Sequence, residues 1–316
     1  MVFGLFKSKS KSSFRSVLGY NMDGKPAHVR IVDGSSEEPA VDLTMHITEN
    51  CNFSCRHCYV SSGPTVKDQL MKEDIIKVID QSSKYNCAGL LLTGGEPFLH
   101  PDLDGILRYA KDKITPISIF TNGFWVTDIK RTTKRLKELR NLGCDHIKFS
   151  IEDKFHMEFI SEEKRLIIKH LISISDNSMP VLETNHEKEK VDPVGNALSM
   201  PESELKLNDP ENELCYDLWF DYCKVSFKKM INEAHLTIRA NGDVYSCSFY
   251  VKKIGNIKTD ALSAIVNSFF SDEEYNIIAE HGPQELARRK GIPEEEIKRR
   301  FLEHPCKFCH DLLNEN

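Results

Sequence analysis

The sequence predicts an α/β protein in which a parallel sheet winds into a full or partial barrel and a small α+β module follows. Three observations carry this. Short strand-like runs alternate with amphipathic helical stretches from about residue 41 to residue 197. Each polar signature in that region falls at the end of a predicted strand. Near residue 200 the texture changes to a polar stretch, a hairpin signal and then charged helices. Alternating strands and helices form βαβ units and hence a parallel sheet. Repeated without a break, such units collect functional groups at the C-terminal strand ends. A doubly wound sheet would gather them at the same ends, so both architectures remain open at this point.

Residues 41–48 alternate apolar and polar positions and read as a strand, and the loop 51–64 follows it. Ile75, Ile76, Val78 and Ile79 give 72–86 one apolar side and predict a helix. The apolar run 88–93 ends in Gly94-Gly95 and reads as a buried strand closed by a turn. Pro101 opens a helix over 101–113. A strand over 117–121 stops at Asn122-Gly123, and a basic amphipathic helix over 129–142 stops at Gly143. A strand at 146–151, a helix at 161–174 and a strand at 181–184 complete the series. Beyond the break, 235–239 and 243–249 flank Asn241-Gly242, a strong hairpin turn. Ser271 with Glu274 reads as a capping box, Gly282 stops that helix, and Pro293 opens the last one.

The chain has 316 residues, 40% hydrophobic and 28% charged, with a formal charge of −6. That is ordinary for a soluble globular protein of one or two domains and gives no basic excess for nucleic acid. No apolar run is long enough to span a bilayer, and the apolar start Met1–Phe6 is too short for a secretory core. The basic tract 7–13 reads as a solvated tail, the sharper alternative being weak contact with an acidic lipid surface or peptide. Ten cysteines without an export signal predict a reducing, cytoplasmic setting in which thiols ligate metal. Three fall in one loop and five in the C-terminal third. Cys87 and Cys144 each stand just before a strand and read as core thiols.

Cys51, Cys55 and Cys58 have the spacing C-x3-C-x2-C. Three soft thiolates so close together reach three corners of a cubane [4Fe–4S] cluster and leave one iron with an exchangeable position. The alternative is a zinc site completed by His57 or a distant residue. Gly94-Gly95-Glu96-Pro97 is a turn that exposes backbone carbonyls at close range and adds a carboxylate. Thr121-Asn122-Gly123 and Ser150 are polar strand-end residues, which also read as plain turn and cap positions.

At these residues, over about 41–197, the sequence resembles the radical S-adenosylmethionine (SAM) superfamily. The resemblance implies a partial (β/α)6 TIM-like barrel and a SAM-binding [4Fe–4S] cluster on Cys51, Cys55 and Cys58. It implies reductive SAM cleavage to a 5′-deoxyadenosyl radical that takes hydrogen from substrate. His57 fits the usually aromatic position before the third cysteine, and Tyr59 follows that cysteine. Gly94, Gly95, Glu96 and Pro97 look like the site for the cofactor amine, with Glu96 adding negative charge there. Thr121, Asn122 and Ser150 resemble contacts to its ribose and carboxylate, and Asn196 a position near the adenosine. Cys223, Cys247, Cys306 and Cys309 resemble the ligands of a twitch-type auxiliary domain with a second [4Fe–4S] cluster, a four-cysteine zinc site being the alternative. The gap from the first of these to Gly242 is longer than usual, so Cys215 competes with Cys223. The expected division is an N-terminal extension over 1–40, a core barrel over 41–200 and an auxiliary domain over 201–316.

The runs 59–64, 121–125 and 150–156 with Phe159 resemble those of twitch-bearing enzymes that modify ribosomally made peptides, with the nearest resemblance to the radical peptide epimerases. The implied substrate is a ribosomally made peptide, epimerised at Cα. Ser248 occupies the place of the usual donor thiol, which leaves Cys223 or Cys215 as the hydrogen donor. The alternatives are a radical dehydrogenase or bond-forming enzyme on a peptide or small molecule, and a non-catalytic scaffold. The implied partner is a low-potential reductant such as flavodoxin or ferredoxin.

Overall fold

The structure is a computed structural model that describes residues 14–20, 26–32, 40–185, 190–191, 193–205, 233–247 and 252–314. The tract 7–13, Cys215, Cys223 and Ser248 lie outside the described residues, and Cys306 is described by its backbone alone. Strands β1 (Phe14–Tyr20) and β2 (Pro26–Val32) pair antiparallel as a two-stranded sheet.

The core is built as βαβ units. They comprise β3 (Ala40–Thr48), α1 (Lys72–Ser82), β4 (Asn86–Gly94), α2 (Leu103–Ala110), β5 (Ile117–Thr121), α3 (Ile129–Asn141), β6 (His146–Phe149), α4 (Glu162–Ile174) and β7 (Val181–Thr184). All residues of β3 but Asp42 are buried, as a central parallel strand covered on both faces should be. Helix α1 buries Ile75, Val78, Ile79 and Ser82, one stripe at helical spacing, and α3 buries Thr132, Leu136 and Leu139. The Asp128 side chain accepts the Arg131 amide at 2.8 Å and caps α3, as Ser161 caps α4. Helix α1 stops at Ser82 instead of reaching 86, because Asn86 already pairs with Ala40 as the first residue of β4. The next helix begins at Leu103, two residues after Pro101.

The hairpin forms with its turn at Asn241-Gly242, between β8 (Glu233–Ile238) and β9 (Asp243–Tyr245), and β10 (Lys253–Asn256) adds to it. It is not a separate sheet. β8 runs parallel to β3, from Ala40 opposite Glu233 to Met45 opposite Ile238. One sheet therefore has the order β10-β9-β8-β3-β4-β5-β6-β7, with its six adjacent strands from β8 to β7 parallel. The expected α/β class with a parallel sheet is present.

Helices α5 (Leu262–Ser271), α6 (Glu273–His281), α7 (Pro283–Arg289), α8 (Glu294–Glu303) and α9 (Pro305–Asn314) follow. Two expectations need correction here. Ser271 is the last residue of α5, and Asp272 caps α6 by accepting the Tyr275 amide at 3.1 Å. The helix after Pro293 is followed by α9, so it is not the last. Leu262, Ile265, Val266 and Phe269 of α5 join the core of the sheet, whereas Tyr275, Ile278, Ile297, Phe301 and Phe308 form a second core.

Arg239, just past β8, ties the hairpin to the end of β3. Its Nη2 and Nε lie 2.7 and 2.8 Å from one oxygen of Glu49, whose side chain is buried. Truncating one partner strands the other charge in a dry place. R239A is expected to lower the unfolding free energy by about 3 kcal/mol in urea titrations. A change under about 0.5 kcal/mol would place the pair among ordinary solvent-screened ones.

Candidate active site

The loop after β3 closes on itself. The Cys51 amide donates to Gly63 O at 3.2 Å, Cys58 N to Cys55 O at 3.1 Å and Ser61 N to Cys58 O at 3.3 Å. This brings Cys51, Cys55 and Cys58 to one pocket, together with His57, Tyr59, Gly94, Gly95, Thr121, Asn122 and Ser150. Cys51 and Cys55 are 8% and 7% exposed, and Cys58 is half-buried. Backbone amides already point at sulfur, Phe53 N at Cys51 Sγ and Ser62 N at Cys58 Sγ, both at 3.4 Å.

Burial pushes the Cys51 thiol up to about 11, against the hydrogen bond from Phe53, and raises Cys55 further, with Cys58 and Cys51 adding to it. Crowded thiols in a dry place resist ionisation until a cationic centre joins them. The donor set thus fits an iron–sulfur cluster bound by three thiolates. His57 lines the same pocket. Its ring stacks on Phe155 at 4.7 Å, and its Nε2 lies 3.8 Å from Asp153 Oδ1.

At the end of β4, Gly94 adopts φ +126° and Gly95 N donates to Thr48 O at 2.7 Å, so the turn lies directly against the end of β3. Glu96 lies behind this turn. It is fully buried and is not among the pocket-lining residues. Its Oε1 accepts Thr121 Oγ1 at 2.8 Å and Phe98 N at 3.1 Å, and its Oε2 accepts Asn122 N at 2.8 Å. Its carboxyl group therefore joins the turn after β4 to the turn after β5. Pro97 opens the 3-10 turn behind it and is likewise absent from the lining.

Burial pushes the Glu96 carboxyl up to about 7, against those three hydrogen bonds. A folded-state value above the unfolded one means the native state binds the extra proton. The contribution of Glu96 to stability is therefore present below about pH 4.5 and lost as pH rises through about 7. E96Q turns an amide group toward one of the three donors, at a cost of about 1–3 kcal/mol. The deficit relative to wild type is expected to be largest near pH 5 and to shrink toward pH 8 in denaturant titrations. A deficit that grows with pH would exclude this linkage.

Asn196 stands against the cysteine loop. Its backbone N donates to Cys58 O at 2.9 Å, and a Cβ on Gly195 would meet Tyr59 O at 2.3 Å, so the segment clamps the cysteine loop from outside. Asn196 is not a lining residue. Sequence reasoning missed Phe53, Ser62, Thr93, Phe120 and His156, which do line the pocket. Thr93 and Phe120 adjoin recognised motifs and were findable by adjacency. His156 depends on Asp153, whose Oδ2 lies 2.6 Å from its Nδ1. Burial acts to raise Asp153, but His156 holds its carboxyl well below the usual range.

In the C-terminal region Cys247 and Cys309 both pack, partly buried, against the second core. The phenol of Tyr275 in that core is raised by burial, with both thiols adding to the effect. The backbone of Cys306 stands one turn before Cys309 on α9.

Residues 45–153 match the radical SAM superfamily, and residues 230–310 match a family described as an iron-sulfur cluster-binding domain. Over 133 residues the chain is 29% identical to the "Antilisterial bacteriocin subtilosin biosynthesis protein AlbA" of Bacillus subtilis, covering 40% of this chain and 30% of that one. Over 114 residues it is 34% identical to the "Probable GTP 3',8-cyclase" of Saccharolobus solfataricus, covering 36% and 35%. The chain thus spans about a third of the length of these curated relatives. Among solved structures, BtrN in complex with AdoMet and 2-DOIA superposes with a TM-score of 0.50 at 17% identity, over 77% of this chain and 88% of that one. That likeness is one of fold. Among the described residues no helix is long and apolar enough to cross a membrane.

Proposed function

We propose that this chain, a radical SAM enzyme with an iron–sulfur cluster-binding domain, epimerises a Cα centre in a ribosomally made peptide. The observation that carries the reading is the convergence of Cys51, Cys55, Cys58, Gly94, Gly95, Thr121, Asn122 and Ser150 on one pocket. When bound there, cluster and SAM together supply a 5′-deoxyadenosyl radical that takes a substrate hydrogen. Cys51, Cys55 and Cys58 hold the cluster and leave one iron for the cofactor. The backbone of Gly94 and Gly95 receives the cofactor amine, and Thr121 and Ser150 orient its polar end, with Asn122 holding the turn between them against the cysteine loop. His57 and Tyr59 would contribute further cofactor contacts from the same pocket, while Glu96, Pro97 and Asn196 hold these turns in place.

Residues 41–200 form most of the radical-generating core, to which β8 and α5 add from the C-terminal part, and the rest of 201–316 forms the auxiliary domain, with Cys247, Cys306 and Cys309 as ligands of a second [4Fe–4S] cluster. A peptide substrate is supported by the likeness to AlbA, whose name places it in bacteriocin biosynthesis. Cys215 and Cys223 precede the matched iron–sulfur segment, which starts at residue 230, and this supports a free donor thiol. That thiol returns a hydrogen atom to the opposite face, and its thiyl is reset by one electron and one proton. The electrons come from a low-potential reductant such as flavodoxin or ferredoxin, in the cytoplasm.

Turnover of a peptide substrate in D2O tests this. Epimerisation places one solvent deuterium at Cα with no loss of two hydrogens, and replacing Cys215 and Cys223 by alanine abolishes that uptake. Product lacking two hydrogens, or uptake that survives both replacements, would overturn epimerisation in favour of dehydrogenation or bond formation.

A further inference from the structure

Asn122 is only 6% exposed, and its side chain is fixed at both ends. Its Oδ1 accepts the Phe124 amide at 3.0 Å, and its backbone N donates to Glu96 Oε2 at 2.8 Å. With the carbonyl end committed to a backbone N–H, the amide has one allowed orientation. Flipping it would set an NH2 group against that N–H. The Nδ2 end therefore faces the cysteine loop, where Nδ2 donates to Asn52 Oδ1 at 3.0 Å and to Cys51 Sγ at 3.7 Å. Cys51 also accepts Phe53 N at 3.4 Å, so two N–H dipoles converge on this sulfur.

We infer that Asn122 is a positioning residue whose side-chain amide donates to the Cys51 sulfur and raises the reduction potential of the cluster that Cys51 holds. The physical ground is charge. Reduction adds an electron to the cluster and its thiolates, and N–H dipoles aimed at sulfur stabilise the more negative state. A higher potential lets a given reductant load the cluster more fully. Glu96 holds the Asn122 backbone in place, while its own negative charge acts in the opposite sense on Cys51. The inference rests on the reading of Cys51 as a cluster ligand.

The test is an EPR-monitored redox titration of the reconstituted full chain without SAM, so that cofactor contacts do not contribute. The signal to follow is the one that disappears when Cys51, Cys55 and Cys58 are replaced by alanine. If no signal disappears, the ligand reading itself fails. With that signal identified, N122A is expected to shift its midpoint to more negative potential. The isosteric N122D, which keeps an acceptor for Phe124 and sets a carboxylate against the thiolate, is expected to shift it further. Either variant with full iron content and the wild-type midpoint would overturn the inference. Should neither variant hold the cluster, wild-type protein carrying asparagine 15N-labelled at the side-chain amide decides the matter. Pulsed EPR is then expected to show a 15N coupling in that signal, and its absence would overturn the inference equally.

Discussion

Replacing Cys51, Cys55 and Cys58 together by alanine is expected to lower iron from about eight to about four per chain and to abolish 5′-deoxyadenosine formation. The loop 51–64 shapes itself through backbone hydrogen bonds, Cys51 N to Gly63 O and Cys58 N to Cys55 O, which the substitutions leave in place. The variant therefore folds but loses its soft donors. Cys247 and Cys309 pack against the core of Tyr275, Ile278, Phe301 and Phe308, separate from the core that holds Cys51 and Cys55. An auxiliary cluster on them should survive. Iron and sulfide counts after anaerobic reconstitution read the first outcome, and product chromatography under dithionite reads the second. Retention of about eight irons would move the SAM-binding cluster to other ligands. One zinc and no sulfide in wild type would restore the zinc alternative.

Most of this site was legible because its parts are local. Two glycines after an apolar run, Asn-Gly after 117–121 and three cysteines within eight residues each announce a turn or a metal loop at short range. What stayed hidden depends on partners distant in sequence. Nothing near Glu96 says that its oxygens go to Thr121 and Asn122, 25 and 26 residues on. Taken alone, a carboxylate beside a Gly-Gly turn looks free to meet a cofactor amine. Asn196 is hidden in the same way, since it acts through its backbone on Cys58 O. The strand β8 shows the limit for the fold. Its hairpin partner is signalled by Asn241-Gly242, but its other neighbour is β3, nearly two hundred residues earlier, and register over that distance leaves no local trace. Helix ends failed for a smaller reason. Ser271 and Asp272 both suit an N-cap, and α5, which runs through Ser271, leaves the role to Asp272.

Gly95→Ala is expected to weaken SAM binding by about 100-fold while Gly63→Ala leaves it unchanged. A Cβ on Gly95 would lie 2.3 Å from Asn50 O, 2.6 Å from Asn50 C and 2.9 Å from Glu49 C. All three are backbone atoms at the root of the cysteine loop, so no side-chain rotation relieves the clash. The turn must move by about 1 Å to restore ordinary contact, which is the scale at which positioning fails. That displacement breaks Gly95 N to Thr48 O and Glu96 N to Asn50 O, and with Glu96 it drags the Thr121-Asn122 turn. Gly94 is a poorer probe, because its φ of +126° would add backbone strain to the clash. Gly63 lies in the same loop with nothing within 4 Å of its Cβ position, so alanine there controls for the substitution itself. Anaerobic calorimetry with SAM on cluster-loaded protein measures both. Wild-type affinity in the fully loaded Gly95→Ala enzyme would show that the turn after β4 takes no part in holding the cofactor.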